Sequence, residues 1–193
     1  MADTGAPWNI PYVEPTDVVR DYPAADEAQA LAVAAGLSAA GGLVAVKSVL
    51  KTNVFSSSVA SGADVEVTDM TITHTMESSS NKLLLMANLT LASSTEVTNR
   101  VAPIFFDGTN LLGIGDAEGV RSRVATFTDT IFPGIPIMLL HSPEVDTALT
   151  YSVRLRNTDN TTRTFFVNRF GTDSDDIRFI RASSTFVLME VKV

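Results

Sequence analysis

The chain has 193 residues, 45% of them hydrophobic and 19% charged, and carries a net charge of −8, which is enough for one domain with a sizeable core and marginal for two. A pI near 4.6 argues against a nucleic-acid binder, which needs a basic stripe, and against attachment to anionic lipid. The absence of cysteine excludes disulfide frameworks, thiolate metal sites and cysteine nucleophiles together.

The first 23 residues hold Trp8, the only tryptophan, two of the three tyrosines (Tyr12 and Tyr22) and four of the eight prolines (Pro7, Pro11, Pro15 and Pro23). Proline fixes φ and removes a donor, so GAPWNIPYVEPTDVVRDYP is expected to run extended, without a ladder of its own. Large amphipathic aromatics on such an arm need a surface to bury them, on this domain or on another chain. The N-terminus is acidic and proline-rich rather than basic then apolar, so no signal peptide is expected. Apolar runs are too short to span a bilayer.

A helix is expected over 23–42. Asp21 serves as N-cap, Pro23 sits in the first turn, Asp26 and Glu27 suit the positive end of the dipole, and Gly41-Gly42 stops it. Ala24, Ala28, Leu31, Ala35 and Ser38 form one stripe; Ala30, Val33, Leu37 and Ala40 form another. Two alanine-rich stripes permit close approach of copies in a bundle. The same pattern suits a helix lying against a sheet, since short helices owe their stability to tertiary packing.

From Leu43 onward the pattern is that of strands. In LTYSVRLRN, Leu149, Tyr151, Val153 and Leu155 alternate with polar residues, and KLLLMANLTLAS places Leu83, Leu85, Ala87, Leu89 and Leu91 on one face. STFVLMEVKV alternates as well. The apolar phase shifts between Val67 and Met70, which predicts a bulge at Thr68-Asp69. Asp107–Asn110, Asn157–Asn160 and Gly171–Asp176 read as turns, and Ser56–Ser58 and Ser78–Ser80 as further connections. Eight to ten strands without alternating helices predict an all-β fold: an antiparallel β-sandwich, jelly-roll-like, with domains 1–22 (arm), 23–42 (helix) and 43–193 (sandwich).

No constellation in the chain points to catalysis. His74 and His141 lack neighbours at metal-ligand spacing and read as edge or core histidines. Gly113–Gly119 has no following Lys-Ser/Thr, so it reads as a connection or bulged strand rather than a phosphate loop. Asp173, Asp175 and Asp176, like Asp116 and Glu118, lack the remaining calcium-loop positions and read as solvated carboxylates. Arg154, Arg156, Arg163, Arg169, Arg178 and Arg181 read as salt-bridge partners. The expectation is a non-enzymatic chain with no metal and no cofactor.

The opening GAPWNIPYVEPTDVVRDYP, the alanine-rich helix and VKSVLKTNVFSSS together resemble virion structural proteins of tailed bacteriophages. The likeness is to small fibre, minor tail or head-decoration proteins with an N-terminal attachment peptide. It continues through Val65–Leu89, Gly113–Arg123, the aromatic strand near Asn168-Arg169, and Ser184–Val191. The resemblance implies a trimeric β-sandwich head attached through its N-terminus, located in the virion, with no catalytic residues. In that reading Trp8, Ile10, Tyr12 and Val13 insert into a groove on another virion protein. Ala28, Leu31, Val33, Ala35 and Leu37 gather copies around an axis. The head then either binds a host-surface glycan or protein, or decorates a capsid with a purely structural role.

Overall fold

The computed structural model describes residues 2–3, 11–12, 28–32, 42–94, 100–119, 121–126, 134–177 and 181–193. The chain divides into two compact units, 1–42 and 43–193. In the first, β1 (Ala2–Asp3) pairs antiparallel with β2 (Pro11–Tyr12), Ala2 opposite Tyr12 and Asp3 opposite Pro11. The arm therefore carries a ladder, contrary to the expectation of none. Proline removes a donor from such a pairing and leaves the acceptors, so a proline-spaced segment can hold a ladder this short. Residues 28–32 form a helical turn, α1; the remainder of the expected helix, apart from Gly42, lies outside the described residues.

Among its described residues the second unit has ten strands: β3 (Leu43–Lys51), β4 (Phe55–Val59), β5 (Asp64–Thr75), β6 (Lys82–Ser93), β7 (Val101–Phe106), β8 (Leu111–Leu112), β9 (Gly134–His141), β10 (Ala148–Asn157), β11 (Arg163–Val167) and β12 (Ser184–Val191). One sheet has the order β5-β10-β7-β8. The other has six strands in four rows. On one side of β6, residues 82–88 pair with β12 and residues 91–93 with β11; β3 and β4 flank these two, and β9 takes the opposite side of β6. All pairings are antiparallel. In chain order, β3 and β4 at the start of the domain pair with β12 and β11 near its end, β5 with β10, β6 with β9 and β7 with β8. That is one long hairpin rolled into two facing sheets, a jelly roll.

The alternation that marks the strands also builds the core. Leu83, Leu85, Leu89 and Leu91 are fully buried, as are Val153, Leu155, Phe186 and Leu188, and Tyr151 is nearly so. The rings of Phe105 and Phe186 lie 5.6 Å apart between the sheets. In β5 the register slips against β10 where Asp69 adopts φ +63°. The bulge falls where the sequence placed it and lets Val67 and Met70 both point inward. Ser56–Ser58, expected as a connection, are instead the middle of β4. Phe55 and Val59 anchor that strand in the core, and Ser57 faces Phe165 of β11.

Where β3 and β4 meet, and β11 and β12 meet beside them, stands Asn168, buried and at φ +65°. Its Nδ2 donates to the carbonyls of Lys51 (2.8 Å) and Asn53 (3.1 Å), and its Oδ1 accepts from Ser184 Oγ at 2.6 Å. Its amide donates to Thr90 O at 3.0 Å. One side chain thus closes the seam where β3 gives way to β4 and β11 to β12.

Candidate functional site

Within the six-stranded sheet, three cross-strand ladders cover the outer face of β3, β12, β6 and β9. They run Leu50–Thr185–Asn88–Pro136, Ser48–Val187–Met86–Met138 and Val46–Met189–Leu84–Leu140. Nine of these twelve residues are apolar, three are neutral and polar, and none is charged. Met138 is 73% exposed, Leu50 63%, Leu140 56% and Val46 51%. A shallow groove of about 410 Å³ runs across β12, β6 and β9, lined by Met86, Ile137, Met138 and Val187 among others. A contiguous apolar surface of this kind is unusual on a soluble chain, where single exposed hydrophobics are ordinary.

The opposite outer face is chemically different. Thr73 and Thr150 share a hydroxyl hydrogen bond at 2.9 Å. Arg154 bonds Asp64 and lies 4.8 Å above the Phe106 ring. Arg156 donates to the carbonyls of Gly62 and Arg123. Strand patterning explains the difference. In β6, β9 and β12 the outward phase also carries apolar residues (Leu84 and Met86, Met138 and Leu140, Val187 and Met189), so each strand buries one set of hydrophobic side chains and presents another.

Glu190 and Lys51, both buried, are each hydrogen-bonded to neighbouring side chains. Glu190 is buried, with Oε2 2.7 Å from His74 Nε2 and Oε1 accepting from Asn81 Nδ2 (2.6 Å) and the Glu77 amide (2.9 Å). Burial pushes its carboxyl up, and the hydrogen bonds from Asn81, His74 and Glu77 together bring it below the ordinary glutamate value. Buried Lys51 donates to Asn53 Oδ1 at 2.6 Å and lies 3.6 Å from Asp69. The Asn53 hydrogen bond and the Lys51 charge hold Asp69 below its usual range. His141 packs edge-on against Tyr151; burial lowers its pKa, and Asp107 partly opposes this. Burial pushes the Tyr151 hydroxyl up, and Asp107 adds to the shift.

Asp173 accepts from Arg169 (2.9 Å) and Arg181 (2.8 Å), which keeps its carboxyl below the usual range, Arg181 contributing first. These pairs are the salt bridging expected of that loop. Among the described residues no group of three or more His, Asp or Glu side chains is arranged to hold a metal ion. No helix among them is long and apolar enough to cross a membrane.

Of the residues nominated for docking, Trp8, Ile10 and Val13 lie outside the described residues, and Tyr12 belongs to β2. Of those nominated for a helix bundle, Ala28 and Leu31 fall in α1, Ala28 half-buried and Leu31 exposed. Val33, Ala35 and Leu37 lie outside the described residues. The apolar sheet face is not among the expected docking surfaces. Its signal was present in the second phase of β6, β9 and β12: Leu84 and Met86, Met138 and Leu140, Val187 and Met189.

Neither any protein-family model nor any curated protein sequence matches this chain.

Proposed function

We propose that the chain is a non-enzymatic structural protein of a bacteriophage virion, held on the particle by its N-terminal arm and displaying the jelly-roll domain. The observation that carries this reading is the pairing of a jelly roll, its interior filled by side chains, with a broad apolar outer face. Such a face is stable when covered, so the domain suits work within an assembly. Jelly rolls serve as capsid and lectin domains, and the fold by itself does not choose among functions. The phage assignment comes from the likeness of the N-terminal segment and of the strand sequences that follow it.

In this reading Trp8 is the anchor, and a buried tryptophan at an interface ordinarily contributes about 2–4 kcal/mol. Trp8→Ala in the producing genome is expected to give particles lacking the protein, measured by immunoblot of gradient-purified virions, while the soluble chain keeps its β-sheet circular dichroism. Normal incorporation of the variant refutes the anchor. The fibre-like and decorating roles separate by incubating the full-length protein with host cells. Saturable binding supports host attachment, and its absence supports a capsid-decoration role.

A further inference from the structure

We propose that the outer face of the six-stranded sheet is a homotypic interface, on which two copies of this chain pack β12, β6 and β9 against their own images. The inference goes beyond the virion reading and stands on the sheet face alone.

The first argument is charge. Each copy carries a net charge of −8, so contacts through acidic surface bring like charges together. The twelve positions of the three ladders carry no charge. A second copy meets this face with a surface equally free of charge, leaving no ion desolvated and unpaired.

The second argument is extent. Strands about 4.8 Å apart and residues about 3.3 Å along each strand spread the ladders over roughly 19 Å by 17 Å. With Leu43, Val191, Thr90 and the charged Lys82 at the margins, the accessible area is on the order of several hundred Å², the scale of a small interface and below the roughly 800 Å² per partner of a standard one. Among the described residues, four of the ten large exposed hydrophobics lie in the ladders and a fifth, Leu43, borders them.

The third is shape. Hydrogen-bonded strands present a regular surface whose side chains can interdigitate with those of a second sheet about 10 Å away, as in the interior of a sandwich. Two copies related by a two-fold axis make this contact self-complementary.

The test uses the full-length chain. Its solution mass by light scattering is compared with that of Met138→Lys/Leu140→Lys, two exposed positions where lysine leaves the core intact. The double variant is expected to have half the parent mass, with unchanged β-sheet circular dichroism and a cooperative thermal transition that no longer depends on protein concentration. A monomeric parent, a variant of unchanged mass, or a reduction other than twofold overturns the proposal. Because the chain lacks cysteine, single thiols give a second readout that does not depend on the lysine variant folding. Met86→Cys, Val187→Cys and Met138→Cys are oxidised separately, with Thr150→Cys on the opposite sheet as the control. A covalent dimer from at least one of the three and none from the control is expected. Its absence from all three overturns the proposal. These measurements do not involve Trp8, so this proposal and the virion reading fail separately.

Discussion

His74 Nε2 lies 2.7 Å from Glu190 Oε2, joining β5 of one sheet to β12 of the other through the interior of the sandwich. With Asn81 and the Glu77 amide on its second oxygen, Glu190 is a buried carboxylate whose partners all come from the opposing strand or from the β5–β6 turn. Its folded pKa lies below the ordinary 4.5. The stability it contributes is therefore complete above that ordinary value and is lost as pH falls through the depressed folded one. Glu190→Gln is expected to cost about 1–3 kcal/mol at neutral pH and to flatten the decline of melting temperature below pH ~4.5. Urea unfolding at a series of pH values checks both parts; an acid limb as steep as the parent's would remove Glu190 from the explanation.

Asn168 yields a graded comparison. Asn168→Ala loses three side-chain hydrogen bonds and places a Cβ-bearing residue without local compensation at φ +65°. The expected loss is about 3–4 kcal/mol. Asn168→Gly loses the same bonds but tolerates the backbone, so it should be less harmful by roughly 1 kcal/mol. Equal losses in the two variants would show that the backbone conformation contributes nothing.

Gly171 and Gly115 make a matched pair. A Cβ at Gly171 would sit 2.9 Å from the Ser93 carbonyl oxygen, whereas one at Gly115 meets nothing within 4 Å. Gly171→Ala is expected to destabilise the fold by about 1–2 kcal/mol, since the obstructing atom is backbone and both chains must move. Gly115→Ala should be neutral or slightly stabilising. Differential scanning calorimetry of the two variants decides it.

At the centre of the core, Phe186→Ala removes one ring of the Phe105 pair and leaves a cavity between the sheets. A loss of about 3–5 kcal/mol is expected. Phe186→Leu, which refills most of the space, should recover the larger part.

The long strands were legible because one face is wet or the period is clean. β10 shows this in Tyr151, Val153 and Leu155, and the phase slip before Met70 located the bulge at Asp69. β4 was not legible, because its three serines match turn chemistry and only the burial of Phe55 and Val59 overrides them. β7 hid for the opposite reason: Val101 to Phe105 are all buried, so no alternation survives. The Glu190 network joins residues more than one hundred positions apart, and a glutamate in an alternating strand does not announce which face it takes. The sheet face is not legible strand by strand, because only the register sets Val187 beside Met86 and Met86 beside Met138.

Strand β12 lies in an inner row between β3 and β6, although it is the last strand along the chain. During synthesis, β3 and β6 emerge with a gap between them that no earlier strand fills, and β5 awaits the glutamate that will meet His74. The domain therefore cannot reach its native form until its final strand leaves the ribosome. Such distant pairings put refolding in the millisecond-to-second range or slower. Until then the apolar faces of β6 remain open on the unfinished domain, which is the interval in which aggregation or chaperone capture competes with folding.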